Sequence, residues 1–273
     1  NKIVFTKKEI WRVAYPILIS LVVQNLINIT DTAFLGRVGE IELGASALAG
    51  VYYMSVYMIG FGFSTGAQIL MARRNGEGRY SAIGSIMLQS TFFMILLAAL
   101  LFGINDICAP WFLRWMISSE AIYGATIEFL DYRIFGLFFS FVAAMFRAFY
   151  VGITQTRILT INAVIMALAN IALNYMLVFG KFGCPEMGIA GAALGSVLSE
   201  FISVIFFMLY TGMKVDGKKY AFFNISGFDP KVIVRVLSVS IWTMIQFFLP
   251  IITWFIFFVA IEHLGERSLA IAN

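Results

Sequence analysis

Charge is what this 273-residue chain has least of: Asp, Glu, Lys and Arg together make up 12% of it, against about a quarter in an average soluble domain. With 61% hydrophobic residues and a mean hydropathy of +0.90, that scarcity excludes an ordinary water-soluble domain and implies a polytopic membrane protein. Histidine is nearly missing, with His263 alone, and only two cysteines occur, Cys108 and Cys184, without C-x-x-C spacing or a histidine nearby. A Cys/His metal site is thereby excluded; both cysteines fall where loops on the outer side are expected, which leaves a disulfide between them open. No H-E-x-x-H, P-loop or dinucleotide fingerprint is present, so the chain is not expected to be an enzyme. Gly62-Phe63-Ser64-Thr65-Gly66 matches the G-x-S-x-G nucleophile elbow, but it lies inside an apolar helical stretch with no histidine base. Together with Gly60, and like Gly191 to Gly195, it reads as small-residue packing that brings helices close. Basic residues are spread along the chain rather than clustered with aromatics, which excludes nucleic acid as a partner. Asn1 to Arg12 is short, basic and without a small-residue cleavage site, so the first apolar run is expected to be mature structure.

What is there, instead, is membrane-length hydrophobic runs. Crossing the hydrocarbon layer takes about 20 apolar residues, and seven stretches qualify: 13–35, 45–70, 82–104, 126–150, 158–180, 188–211 and 234–260. With the N-terminus in the cytoplasm, 14 of the 19 basic residues lie inside, and only Arg37, Arg114, Arg133, Lys181 and Arg267 lie outside. Trp111 and Trp115, around Pro110, suit an interfacial aromatic belt. His263, beside Glu262, is expected to be a solvated residue at the outer edge.

A repeat runs through the chain. Val38-Gly39-Glu40-Ile41-Glu42-Leu43-Gly44 returns 226 residues later as Leu264-Gly265-Glu266-Arg267-Ser268-Leu269-Ala270, each copy closing an aromatic-rich span that follows a basic stretch. Six spans separate the two starts, so the copies run parallel, related by an axis along the membrane normal. Seven spans do not complete two six-span lobes. The chain is therefore expected to be part of a twelve-span, all-α, two-lobe bundle. Residues 1–211 would form the first lobe, 212–231 a polar cytoplasmic linker, and 232–273 the first helix of the second lobe.

Few polar groups interrupt the spans, and each needs a reason. A carboxylate at mid-bilayer costs at least ~2.5–3.5 kcal/mol on insertion scales, yet the first span carries Asp31. At about 100° per residue, Ser20, Gln24, Asn28 and Asp31 share one stripe about 80° wide. Gln24 and Asn28 suit interhelical hydrogen bonding or the polar side of a substrate cavity; Asp31 points to function, since an amide would bond as well without the charge cost. Asn170 and Asn174 share a face of the fifth span, as do Ser196 and Glu200 in the sixth. Glu200 reads as a second mid-membrane acid, either protonated and bonded across helices or coupled to Asp31. Glu128, Asp131 and Arg133, at the outer end of the fourth span, read as a solvated or locally paired cluster. Methionines, 13 in all, include candidates for a soft, adaptable chamber.

These features resemble a known family. Tyr15-Pro16, Asn28-Ile29-Thr30-Asp31-Thr32, Gly36-Arg37-Val38-Gly39 and Leu43-Gly44-Ala45 resemble the opening of the multidrug and toxic compound extrusion (MATE) transporters. Asn170 to Gly180 and Met187 to Ala193 resemble a second hallmark of that family. The resemblance implies a twelve-helix antiporter in a bacterial inner membrane, monomeric and lipid-embedded, exporting small organic, commonly cationic compounds against H⁺ or Na⁺ and needing no other cofactor. It implies that Asp31 is the carboxylate of the cation site and Asn170 its amide partner, with Na⁺ held at Asp31, Asn170 and Asn174. At Asn174 many prokaryotic relatives carry a second aspartate, so this chain is one formal charge short. Glu200 would restore that charge if its face meets Asp31, and Ser196 would add a hydroxyl ligand. The position 226 after Asp31 is Phe257, so coupling is expected to reside in the first lobe. A lipid-linked precursor flippase of similar architecture, and more distantly a membrane receptor or enzyme, are the alternatives.

Overall fold

The computed structural model describes residues 6–215, 217, 219–220 and 230–272. Its helices run in chain order as α1 (Lys7–Val38), α2 (Glu40–Gly76), α3 (Tyr80–Met116), α4 (Glu120–Arg133) and α5 (Gly136–Gly152). They continue as α6 (Arg157–Phe179), α7 (Ile189–Lys214), α8 (Pro230–Glu262) and α9 (Glu266–Ala272). Six of them are long and apolar enough to cross a membrane, seven if α4 and α5 count as one broken span. The linker expected over 212–231 lies outside the described residues at 216, 218 and 221–229.

Capping accounts for where α1 begins. The Thr6 hydroxyl accepts from the Glu9 amide at 3.3 Å and the Glu9 carboxylate accepts from the Thr6 amide at 3.0 Å, a reciprocal capping box. The repeated sequence adopts repeated structure. Gly39 separates α1 from α2 and Gly265 precedes α9, and in each copy the leucine four residues on donates its amide back to the glycine carbonyl, at 3.1 Å from Leu43 and 3.3 Å from Leu269. The copies also meet: Leu269 packs where a Cβ on Gly44 would lie, at 3.2 Å.

The fourth span departs from the sequence reading. The apolar run 126–150 is not one helix but α4 and α5, bent by 53° between Arg133 and Gly136. No proline marks the break, which follows the charged residues Glu128, Asp131 and Arg133. α3 likewise runs on through Pro110 to Met116, carrying Trp111 and Trp115 on its exposed side and placing Cys108 within a helix rather than a loop. Cys108 and Cys184 are both free thiols.

Small residues set the closest approaches, as expected from the glycine pattern. On α2, a Cβ on Gly62 would strike the Met244 main chain of α8, and one on Gly66 would strike Ser240, so the two helices touch nearly backbone to backbone. Ser64, between those glycines, is buried and hydrogen-bonds the Phe61 carbonyl of its own helix at 2.7 Å, which leaves no role for it as a nucleophile. Gly191 of α7 lies equally close to the Leu177 main chain of α6. A core of Phe63, Met71, Ile83, Met94, Phe141, Phe149, Tyr150 and Phe207 fills the space between α2, α3, α5 and α7.

α8 is fixed at its far end by a buried carboxylate. Glu262, 2% exposed, accepts the main-chain N–H groups of Ser118 and Ser119 at 3.0 and 2.8 Å. Those amides open α4, whose positive dipole end favours the negative charge. His263 beside it is half exposed, its Nδ1 3.8 Å from the Glu262 carboxylate.

Overpacking a close helix contact costs about 1–3 kcal/mol, so Gly66→Ala is expected to lower the thermal unfolding temperature of the detergent-solubilised protein. Gly103→Ala on α3, where a Cβ meets nothing within 4 Å, is expected to leave it unchanged or raise it slightly. Melting followed by intrinsic fluorescence checks both.

Candidate functional site

Among the described residues two cavities between the helices bear on the site. The first, about 480 Å³, is lined from α1 by Asn28, Asp31 and Leu35, from α2 by Tyr53 and Met54, from α6 by Met166 and Asn170, and from α7 by Ser196 and Glu200. α4 contributes Phe129 and Arg133, and α8 closes the wall with Ile251, Trp254 and Phe258. The second, about 330 Å³, lies toward the N-terminal half of α1. It is lined by Ser20, Tyr57, Met58, Phe61, Arg147, Asn162 and Ser203 among others. Both cavities share Tyr53, Met54, Arg133, Met166 and Glu200, which form the wall between them.

Asp31 heads a chain of polar groups in the first cavity. The Asn174 amide donates to the Asp31 carboxylate and also to Asn170 Oδ1 at 3.0 Å, and the Asn170 amide reaches Ser196 Oγ at 3.5 Å. The i, i+4 spacing in α6 places both amides on one face, as the sequence predicts. Asn174 is fully buried, and its Oδ1 has no hydrogen-bond partner among the described residues, an oxygen with unused acceptor capacity. Gly195 of α7 is the gap that admits this side chain, since a Cβ there would overlap Asn174 Oδ1. Among the described residues no lysine or arginine pairs with Asp31.

Of the polar stripe on α1, Asn28 lines the first cavity, Ser20 the second, and Ser20 Oγ bonds the Ile17 carbonyl at 2.7 Å. The side chain of Gln24 lies outside the described ones.

Glu200 shares a feature with each sequence reading: it is bonded across helices, and it faces the cavity that Asp31 faces. Among the described residues the partner of its carboxylate is a guanidinium rather than a member of the Asp31 chain. Arg133 grips it with both terminal nitrogens, Nη2 to Oε1 at 2.6 Å and Nη1 to Oε2 at 2.9 Å. Both side chains are 13% exposed. Arg133 is thus not in a solvated outer cluster, although its neighbours Glu128 and Asp131 are exposed. The break between α4 and α5 explains how the pair fits, because a Cβ on Gly136 would overlap Arg133 Nη1 and lie 2.5 Å from Glu200 Oε2. The guanidinium carbon also lies over the face of Tyr53, 3.8 Å from the ring centroid, and the Tyr53 hydroxyl is held by Ser140 Oγ at 2.7 Å.

Sequence reasoning missed Arg133 and Tyr53 at this site. One signal was available: a mid-membrane acid calls for a countercharge, and Arg133 was one of few cations left on the sparsely basic side of the topology.

Removing one partner of a buried ion pair costs about 3–5 kcal/mol, while removing both is far milder. Glu200→Gln is accordingly expected to destabilise strongly, and Arg133→Gln/Glu200→Gln to recover most of the loss. A double-mutant cycle of thermal unfolding checks the coupling.

Comparison with known proteins places this geometry in context. The MatE family model matches residues 16–176. A probable multidrug resistance protein NorM from Idiomarina loihiensis is 28% identical over 197 residues, 72% of this chain and 42% of the relative. The multidrug resistance protein NorM of Vibrio cholerae is 24% identical over 265 residues, 95% of this chain and 57% of the relative. The chain spans about half the length of the curated relatives it matches. Among solved structures, an inward-facing multidrug resistance MATE family transporter of the MOP superfamily superposes with a TM-score of 0.82 at 20% identity, over 97% of this chain and 59% of that one. A MOP superfamily transporter from Pyrococcus furiosus gives 0.78 at 18% identity, over 88% and 52%. Both likenesses concern the fold.

Proposed function

Since the chain belongs to the MatE family, we propose that it supplies the first lobe and the opening helix of the second in a membrane exporter of small organic cations, driven by inward movement of Na⁺ or H⁺. Residues 1–211 are that lobe and 232–273 begin the next. The protein resides in a bacterial inner membrane with its N-terminus in the cytoplasm, an orientation supported by the distribution of its basic residues.

The observation that carries this reading is the Asp31 carboxylate, which faces a cavity, is held by an amide and is unpaired with any described cation. Withdrawn from bulk water, a carboxylate is poorly tolerated as a bare anion and favours a proton, a metal ion or an organic cation beside it. These three compete for one place, and competition is what exchange requires. Asn170 Oδ1, Asn174 Oδ1 and Ser196 Oγ add neutral oxygens to the single carboxylate. Hard oxygen ligands with one negative charge suit a monovalent ion better than a multiply charged or soft one. The Asn174 amide now offers Nδ2–H to Asp31; a half-turn of that amide would offer its unused oxygen to a bound Na⁺.

Exchange becomes export when the two lobes alternate the side to which the cavity opens. Uptake of the ion by Asp31 releases the organic cation outside, and the ion leaves inside. Exchange of one such ion for one monovalent organic cation moves no net charge across the membrane, so the drive is the ion's own concentration gradient: each factor of ten supplies ~1.4 kcal/mol and supports a tenfold substrate gradient.

Asp31→Asn in the full-length transporter is expected to abolish export driven by Na⁺ or pH gradients in proteoliposomes, with expression and folding intact. Unchanged gradient-driven transport in that variant would overturn the assignment. Collapsing each gradient in turn identifies the coupling ion.

A further inference from the structure

The wall between the two cavities has the composition of a receptor. Its centre is the Glu200 carboxylate, both oxygens turned toward one planar cation. Its other face is the ring of Tyr53, immobilised by its hydroxyl bond to Ser140 and by the parallel ring of Tyr57, 6.4 Å away and inclined by 8°. A carboxylate opposite an aromatic face is the arrangement that recognises organic cations, and guanidinium-like planar ones best, because they can bond in the plane and stack across it. The cation in that place is the chain's own Arg133, 3.8 Å from the Tyr53 centroid.

Three features separate this pair from an ion pair that merely holds helices together. It is exposed to a cavity on each side, so a ligand could reach it from either. Arg133 ends α4 at the 53° break, so the helix does not continue in line beyond it. Among the described residues Arg133 is also the only lysine or arginine lining the first cavity, where Asp31 offers a second carboxylate to the guanidinium if it is displaced.

We propose that Glu200 and the Tyr53 face form a second cation receptor, separate from Asp31, for planar organic cations of guanidinium or amidinium type. Arg133 occupies it as a tethered ligand until such a cation displaces it. A substrate passing between the cavities would take the place of Arg133, so this wall selects for charge and shape before Asp31 is reached. The assignment rests on the export reading for its role in transport, but the binding it predicts is measured without transport.

The test uses the purified full-length protein in detergent and equilibrium dialysis of radiolabelled methylguanidinium. Arg133→Ala vacates the receptor and is expected to bind the probe at least about tenfold more tightly than wild type, since the probe no longer competes with a tethered cation. The gain should vanish in Arg133→Ala/Glu200→Gln, shrink in Arg133→Ala/Tyr53→Leu, and survive in Arg133→Ala/Asp31→Asn. Equal binding by wild type and Arg133→Ala overturns the proposal, as does a gain that persists without Glu200 or depends on Asp31. If Arg133→Ala does not fold, Arg133→Lys serves. It keeps the charge but loses the two-pronged grip, and should bind the probe more tightly than wild type in a Glu200-dependent way; no gain there overturns the proposal equally. Survival of the gain in the Asp31→Asn background distinguishes failure of this receptor from failure of the export reading.

Discussion

A carboxylate enclosed by apolar helices has lost its water and must be given something in return, and the arrangement of this bundle follows from how three of them are answered. Asp31 is answered by a neutral amide, Glu200 by a guanidinium, and Glu262 by two main-chain N–H groups at the start of α4. The three answers differ in how much charge they cancel. Arg133 neutralises Glu200 outright. The amide of Asn174 bonds Asp31 without neutralising it, and leaves that acid receptive to a cation. The helix start that holds Glu262 offers only a partial positive charge, fixed by the backbone. Each carboxylate binds a pair of elements distant in sequence, so the polar groups also determine which helices lie side by side.

The same physics explains what could be read from the chain before its structure. Long apolar runs announce themselves, and six of the seven expected spans coincide with single helices. Asp31 was legible because its cost at mid-membrane demands a reason, and Asn170 with Asn174 because their spacing fixes a shared face. The break after Arg133 was not legible: no proline interrupts the run, and the room that Gly136 leaves there is filled by side chains that include one from α7. Glu200 was legible as an acid in need, but its partner lies 67 residues away. Counting charges by side placed Arg133 among the outer residues, because a count by loop cannot see that one side chain turns inward. Glu262 gave no signal at all. It sits at a helix end beside a histidine, where charges are normally solvated, and its partners are two backbone amides, which any sequence possesses, and the hydroxyl of Ser118, 144 residues away.

The cavity wall from α8 was equally hidden. Trp254 and Phe258 are unremarkable in an aromatic-rich apolar span, and only the close approach of α2 to α8 at Gly62 and Gly66 turns them toward Asp31. Small residues in one helix thus decide which large residues of another face the site.

α8 packs along α2, comes closest to it where Ser240 and Met244 meet the α2 glycines, and is bound at its far end by Glu262 at the start of α4, with Ser240 and Glu262 about 33 Å apart along the helix. The first is a bearing, backbone against backbone with no soft layer to compress. The second is a clasp, made of hydrogen bonds that water can replace almost one for one. A rocking motion of the proposed kind would turn on the bearing and undo the clasp, so the lever arm, the fulcrum and the catch of such a machine are all carried by one helix.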